Sequence, residues 1–128
     1  MKLPFKLPPQ RNSSNIPVWN GDVFIVGKNF TPVLEYSEDL LGWTSSLTSL
    51  HEEVAGESHP IDIASRKDAI EQIKKLNLTK NSVILEIGCS SGFMLQELKD
   101  NFPHCVIIGS DVLKESLYKI AKTQKIYH

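Results

Sequence analysis

Two carboxylates bracket a run of small residues in this chain. Glu86 ends the apolar segment Val83-Ile84-Leu85, and Asp111 ends Cys105-Val106-Ile107-Ile108-Gly109-Ser110. Between them lies Gly88-Cys89-Ser90-Ser91-Gly92, followed by an apolar stretch of helical spacing. Gly88 and Gly92 permit positive φ and let a ligand approach the main chain closely. Ser90 or Ser91 can cap the next helix, whose first N–H groups then face an anionic ligand group. Strand, tight loop and helix in that order hold nucleotide-type cofactors at the edge of a parallel sheet.

Three kinds of loop share this outline. A P-loop ends Gly-Lys-Ser/Thr, so that a lysine meets phosphate and a hydroxyl meets magnesium; here Phe93 follows Gly92. A dinucleotide fingerprint needs three glycines, and aligned on Gly88 its other two places hold Ser90 and Phe93. Asp111 stands about 20 residues beyond Gly92, the position of a ribose-binding acid, whichever cofactor the ribose belongs to. Glu86 discriminates more. A pyrophosphate near it would be repelled by roughly 4 kcal/mol at ~4 Å and an effective dielectric near 20. S-adenosylmethionine carries an ammonium and a sulfonium instead, and the same carboxylate attracts both. The alternative role for Glu86 is to tie together the loop's own N–H groups. Cys89, with no histidine near it in sequence, is expected to fill space rather than act as a nucleophile.

The elements that would position these residues read as follows. Residues 1–16 are rich in Pro, Asn and Ser and predict a poorly ordered tail. Asn20-Gly21 between the apolar runs Ile16-Pro17-Val18-Trp19 and Asp22-Val23-Phe24-Ile25-Val26 predicts a hairpin with both central residues at positive φ. Residues 36–57 have helical spacing, with Leu40, Leu47, Leu50 and Val54 as a stripe broken at Gly42 beside the packing anchor Trp43. His51-Glu52-Glu53 reads as a solvated polar face, since no second histidine follows at metal-ligand spacing. Pro60 opens a helix over 61–76 with Ile63, Ala69, Ile70, Ile73 and Leu76 inward, and Asp62–Arg66 and Glu71–Lys75 as i,i+4 ion pairs. Met94, Leu95, Leu98 and Phe102 form the inner face of the next helix, which Pro103 stops. Cys105-Val106-Ile107-Ile108 reads as a parallel strand buried on both faces. A last helix turns Leu113, Leu117, Ile120 and Ala121 inward, with Glu115 early and Lys119, Lys122 and Lys125 late, as the helix dipole favours. Helix, strand, helix, strand, helix is the start of a doubly wound α/β sheet.

Bulk properties agree with one ordinary core. The chain has 128 residues, 41% hydrophobic and 23% charged, with net charge −1, so no basic field favours nucleic acid. Two cysteines, Cys89 and Cys105, lack ligand-like spacing and are expected as buried thiols, which fits a cytoplasmic protein. No apolar run is long enough for a signal peptide or a membrane span.

Leu85-Glu86-Ile87-Gly88-Cys89-Ser90-Ser91-Gly92-Phe93 resembles motif I of the class I S-adenosylmethionine-dependent methyltransferases, with Ser90 in place of the usual central glycine. Ile107-Ile108-Gly109-Ser110-Asp111 resembles the second-strand motif of that family. The segment from Leu50-His51-Glu52-Glu53 to Ser65-Arg66 resembles the lead-in of a bacterial group within it. The resemblance implies an enzyme that moves a methyl group from S-adenosylmethionine to an unknown acceptor. Glu86, Gly88, Cys89, Ser90, Ser91 and Gly92 would surround the methionine part, Asp111 the ribose, and Val112 would pack on adenine. Arg66 could reach the cofactor's carboxylate, although an exposed pair with Asp62 is the simpler reading. The family fold is a Rossmann-like seven-stranded sheet. Here its first two parallel strands (58–128, an incomplete cofactor domain) follow a hairpin and helical extension (1–57). The expectation is the front part of a longer enzyme, with no catalytic residue assigned and a sheet edge that an oligomer or partner would cover. The alternatives are a non-catalytic cofactor-binding module completed by a partner chain, and a dinucleotide-binding fragment.

Overall fold

A computed structural model of the protein describes residues 3–37, 44–54 and 56–123. Three short strands come first: β1 (Val18–Trp19), β2 (Phe24–Val26) and β3 (Asn29–Thr31). Helices α1 (Ser45–Val54) and α2 (Pro60–Lys74) follow, then β4 (Val83–Ile87), α3 (Phe93–Asn101), β5 (Val106–Ser110) and α4 (Lys114–Thr123). The chain is thus mixed α/β, with an antiparallel sheet β1-β2-β3, a parallel pair β4-β5 and four helices among the described residues.

The expected hairpin exists, but its turn differs. Trp19 pairs with Phe24, leaving a four-residue loop. Gly21 takes φ 111° while Asn20 stays out of the positive region. The Asn20 side chain explains this: its Oδ1 accepts the N–H groups of Asp22 and Val23, both at 2.9 Å. An Asx turn of this kind closes the loop from the side chain, so the asparagine backbone has no need of a left-handed conformation. Gly27 at φ 63° then turns the chain into β3, a strand whose short polar sequence gave no signal. The tail before β1 has no regular structure, yet Tyr36 anchors it by donating its hydroxyl to the Pro8 carbonyl at 3.0 Å.

α1 is shorter than its periodicity predicts, since residues 34–37 are not helical; Leu40, Gly42 and Trp43 lie outside the described residues. Thr44 opens it, accepting the Leu47 N–H on its hydroxyl at 3.3 Å. The predicted stripe Leu47, Leu50 and Val54 faces solvent, and Thr48 is the buried residue. Thr48 and Glu52, one turn apart, mark the inward side. Periodicity identified an amphipathic helix but could not say which neighbour it would meet.

α2 begins at Pro60 as expected and ends two residues short of the predicted boundary. Ile70 is buried and Ile73 half-buried, whereas Ile63 and Leu76 at the ends are exposed. β4 and β5 pair in parallel from Val83↔Val106 to Ile87↔Ser110, joined by α3. Ile84 and Ile107 turn toward the helices and meet Ile70 of α2, Leu95 and Leu98 of α3, and Ile120 of α4. Leu95 is 0% exposed. The other face of β4 is bare: Val83, Leu85 and Ile87 are all exposed. β5 comes closer to the expected burial, with Val106 and Ile107 both covered. Both cysteines are buried free thiols. Among the described residues no helix is long and apolar enough to cross a membrane.

Gly109 sets the distance between α3 and the sheet. A Cβ there would lie 2.6 Å from Leu95 Cδ1 and 3.1 Å from Cys89 Sγ. Close packing of this kind is the task of the third glycine in a dinucleotide loop. Here that glycine stands on the neighbouring strand, which leaves Phe93 free to occupy the helix start.

Candidate functional site

The loop between β4 and α3 is shaped by three left-handed residues. Gly88 and Gly92 take φ 78° and 80°, as expected, and Ser90 takes φ 46°. An L-residue in that region costs roughly 1–2 kcal/mol, so Ser90 needs something to hold it there. Asp111 does so: its Oδ2 accepts the Ser90 N–H at 2.8 Å, while its Oδ1 accepts the Leu113 N–H at 2.8 Å ahead of α4. The Ser110 carbonyl receives the N–H groups of Gly88 and Cys89 at 2.7 and 3.0 Å. The end of β5 therefore holds the loop that follows β4.

Neither serine caps α3. The N-cap falls on Gly92, which has no side chain to accept a hydrogen bond, because the helix begins at Phe93. A Cβ on Gly88 would meet nothing within 4 Å, so its backbone opens onto free space. That space is a cleft of about 230 Å³, lined by Glu86, Gly88, Cys89, Ser90 and Ser91 of the expected set. Gly92 is buried at the helix start, and Asp111 and Val112 border a second cavity on the far side of the loop.

Glu86 carries the electrostatics. Its position alternates with Leu85, which puts it on the helix-covered side of β4. Its Oε2 is buried with no hydrogen-bond partner. The proposed role of tying loop N–H groups together is thus performed by Asp111 and Ser110 instead. Loss of water around Glu86, and then the Asp111 charge, push its carboxyl up to about 7. Cys89 is 3% exposed, and burial followed by the charges of Glu86 and Asp111 pushes its thiol up to about 12. A thiol so placed is protonated at neutral pH and is no nucleophile, in agreement with a space-filling role.

Residues from the lead-in helices complete the cleft. Arg66 is not the exposed partner of Asp62. Its side chain is 14% exposed and its Nε donates to Glu97 Oε1 of α3 at 2.7 Å. A second guanidinium nitrogen donates to the Glu57 carbonyl at 2.8 Å, and the group lies 5.9 Å from the centre of the Phe93 ring. Lys75 likewise donates to Gln72, at 2.8 Å. His51 and Glu52 also line the cleft, although their sequence suggested a solvated face. Glu52 Oε1 is buried without a partner. The available signal was their place in the lead-in segment, which says nothing of the direction α1 takes.

The cleft therefore combines two carboxylates with unpartnered oxygens, one guanidinium held at its edge, and an open glycine backbone. Such a set can receive a group with a positive centre and a small anionic end. No protein-family model matches the chain, and neither does any curated protein or solved structure.

Proposed function

We propose that the chain binds S-adenosylmethionine as the cofactor-binding unit of a class I methyltransferase with a Rossmann-like sheet. The observation that carries this reading is the buried, unpartnered Glu86 oxygen beside the open backbone of Gly88. A buried carboxylate without a partner is unfavourable unless a cation or donor completes it. A dinucleotide would bring negative charge to that point, which disfavours the rival reading.

The residues present fit the cofactor. Glu86 would hold its ammonium, with Gly88, Cys89, Ser90 and Ser91 enclosing the methionine part, and Gly92 would open α3 toward the carboxylate. Asp111 would meet the ribose hydroxyls. Each of its oxygens already accepts one N–H, but a carboxylate has about four acceptor positions. Val112 would border the base. When bound, S-adenosylmethionine supplies an activated methyl group. What this chain contributes is alignment, by holding the donor in a fixed position against an acceptor. No described residue is assigned as a catalytic acid or base.

A second reading, a non-catalytic module completed by a partner chain, is favoured by the bare Val83, Leu85 and Ile87 face. Sedimentation separates the two: a folded monomer argues against the partner-completed module.

Isothermal titration with S-adenosylmethionine tests the first reading. Micromolar binding is expected, with a large loss in Asp111→Ala. Binding should tighten from pH 6 to pH 8, because Glu86 must lose its proton to face a cation, and Glu86→Gln should flatten that dependence. Absence of binding, or no change in Asp111→Ala, would overturn it.

A further inference from the structure

α1 lines the loop cleft with little to hold it there. Among its described side chains Thr48 is buried and Glu52 half-buried, while Leu47, Leu50 and Val54 face solvent. Among the described residues no other helix or strand packs extensively against it. A helix with so little buried apolar surface opens readily on its own. Yet α1 carries His51 and Glu52, which wall the cleft together with Gly88 and Ser90.

The turn behind α1 is what holds it. Gly56 takes φ 54°, and a Cβ there would lie 2.8 Å from the Glu52 carbonyl oxygen. The chain thus doubles back tightly on the last turn of the helix. The next carbonyl, that of Glu57, accepts a guanidinium N–H of Arg66 at 2.8 Å. Arg66 Nε donates at 2.7 Å to Glu97 of α3. The same group lies 5.9 Å from the ring centre of Phe93, the first residue of α3. One planar fork joins the end of α1 to the helix that leaves the loop, a span that a lysine ammonium does not reproduce.

Two opposed effects set the balance. The buried, unpartnered Glu52 Oε1 favours an open α1, because water would satisfy it there. The Arg66 contacts favour a closed one. A ligand that brings a donor to Glu52 removes the first effect and leaves the second.

We infer that α1 is a lid over the loop cleft, and that Arg66 is the positioning residue that latches it to α3. What the lid encloses, the methionine part of the cofactor, rests on the proposed reading of the loop; the latch does not.

Hydrogen exchange on the ligand-free full chain tests the latch without any cofactor. Arg66→Met keeps the apolar stem beside Phe93, and Glu97→Ala removes the acceptor on α3. Each should speed exchange at the α1 amides 48–54 by roughly tenfold, with the amides of β5 unchanged. Arg66→Lys should behave as Arg66→Met does. Unchanged exchange at α1, an equal rise in β5, or full protection in Arg66→Lys would overturn the latch. Isothermal titration then reads the site. S-adenosylhomocysteine should weaken by roughly tenfold in Arg66→Met and less in Glu97→Ala, with the double variant no worse than Arg66→Met. 5′-Methylthioadenosine, which lacks the amino-acid end, should bind every variant as it binds wild type. Weakening in Arg66→Met with none in Glu97→Ala would make Arg66 a direct ligand and overturn its positioning role. Failure of wild type to bind either compound sinks the cofactor reading, and the exchange rates still decide the latch.

Discussion

The two faces of β4 invert the usual rule of burial. On the side covered by α2, α3 and α4, Ile84 joins the core, but the next residue on that side is the carboxylate Glu86. On the open side stand Val83, Leu85 and Ile87, the last 81% exposed. Apolar side chains in water and a carboxylate under the helices make poor sense for stability alone. They make sense if the covered side is built around a site and the open side is a surface of another kind. The difference teaches that the helices do two things here: they bury Leu95, Leu98 and Ile120, and they strip water from Glu86. The core's stability supports a group that folding alone would exclude.

Breaking the covered side should have the largest effect. Leu95→Ala removes a side chain with no exposed surface, and the expected loss is about 3–5 kcal/mol in chemical denaturation. A loss under about 1 kcal/mol would mean that the face is far looser than the packing indicates. Gly109→Ala puts a methyl group against Leu95 and Cys89, at an expected cost of about 1–3 kcal/mol. Because the same contact sets the distance of α3 from the sheet, the variant should also alter the loop, seen as shifted amide signals at Gly88 and Ser90.

Glu86 sharpens the comparison through pH. Loss of water, and then the Asp111 charge, raise its carboxyl from an ordinary 4.5 to about 7. Below the unfolded value both states are protonated and burial carries no charge penalty. As pH rises from about 4.5 to 7 the folded state holds the proton longer, so stability falls across that window and stays low above it. Glu86→Gln should remove this slope and stabilise the protein above pH 7 by about 1–2 kcal/mol, a figure discounted for partial solvation. Equal pH profiles for variant and wild type would show that the carboxylate is not desolvated. The smallest effect belongs to the open face: Ile87→Thr should change stability by no more than about 0.5 kcal/mol. A loss near that of a core residue would mean that this face is covered in solution.

The second half of the chain was the legible half. From Val83 to Thr123 every element is a short segment whose character is set by its own residues, such as the apolar runs of β4 and β5 or Pro103 after α3. The positive φ of Gly88 and Gly92 was likewise local information. The first half was harder. β3 has too few apolar residues to signal a strand, and the Asn20-Gly21 turn was decided by an asparagine side chain that competes with the expected backbone conformation. α1 turns Thr48 and Glu52 inward because of what lies next to it.

The amino-acid sequence by itself determined the strand–loop–helix unit and the acids at both strand ends, because backbone propensity and charge are properties of the residues themselves. Only the tertiary structure decided what each acid does. Asp111 holds Ser90 and opens α4, Glu86 Oε2 is left buried without a partner, and Arg66 turns from its helix neighbour Asp62 to Glu97. Hydrogen bonds and loss of water depend on which groups folding brings within about 3 Å, and no spacing along the chain specifies that.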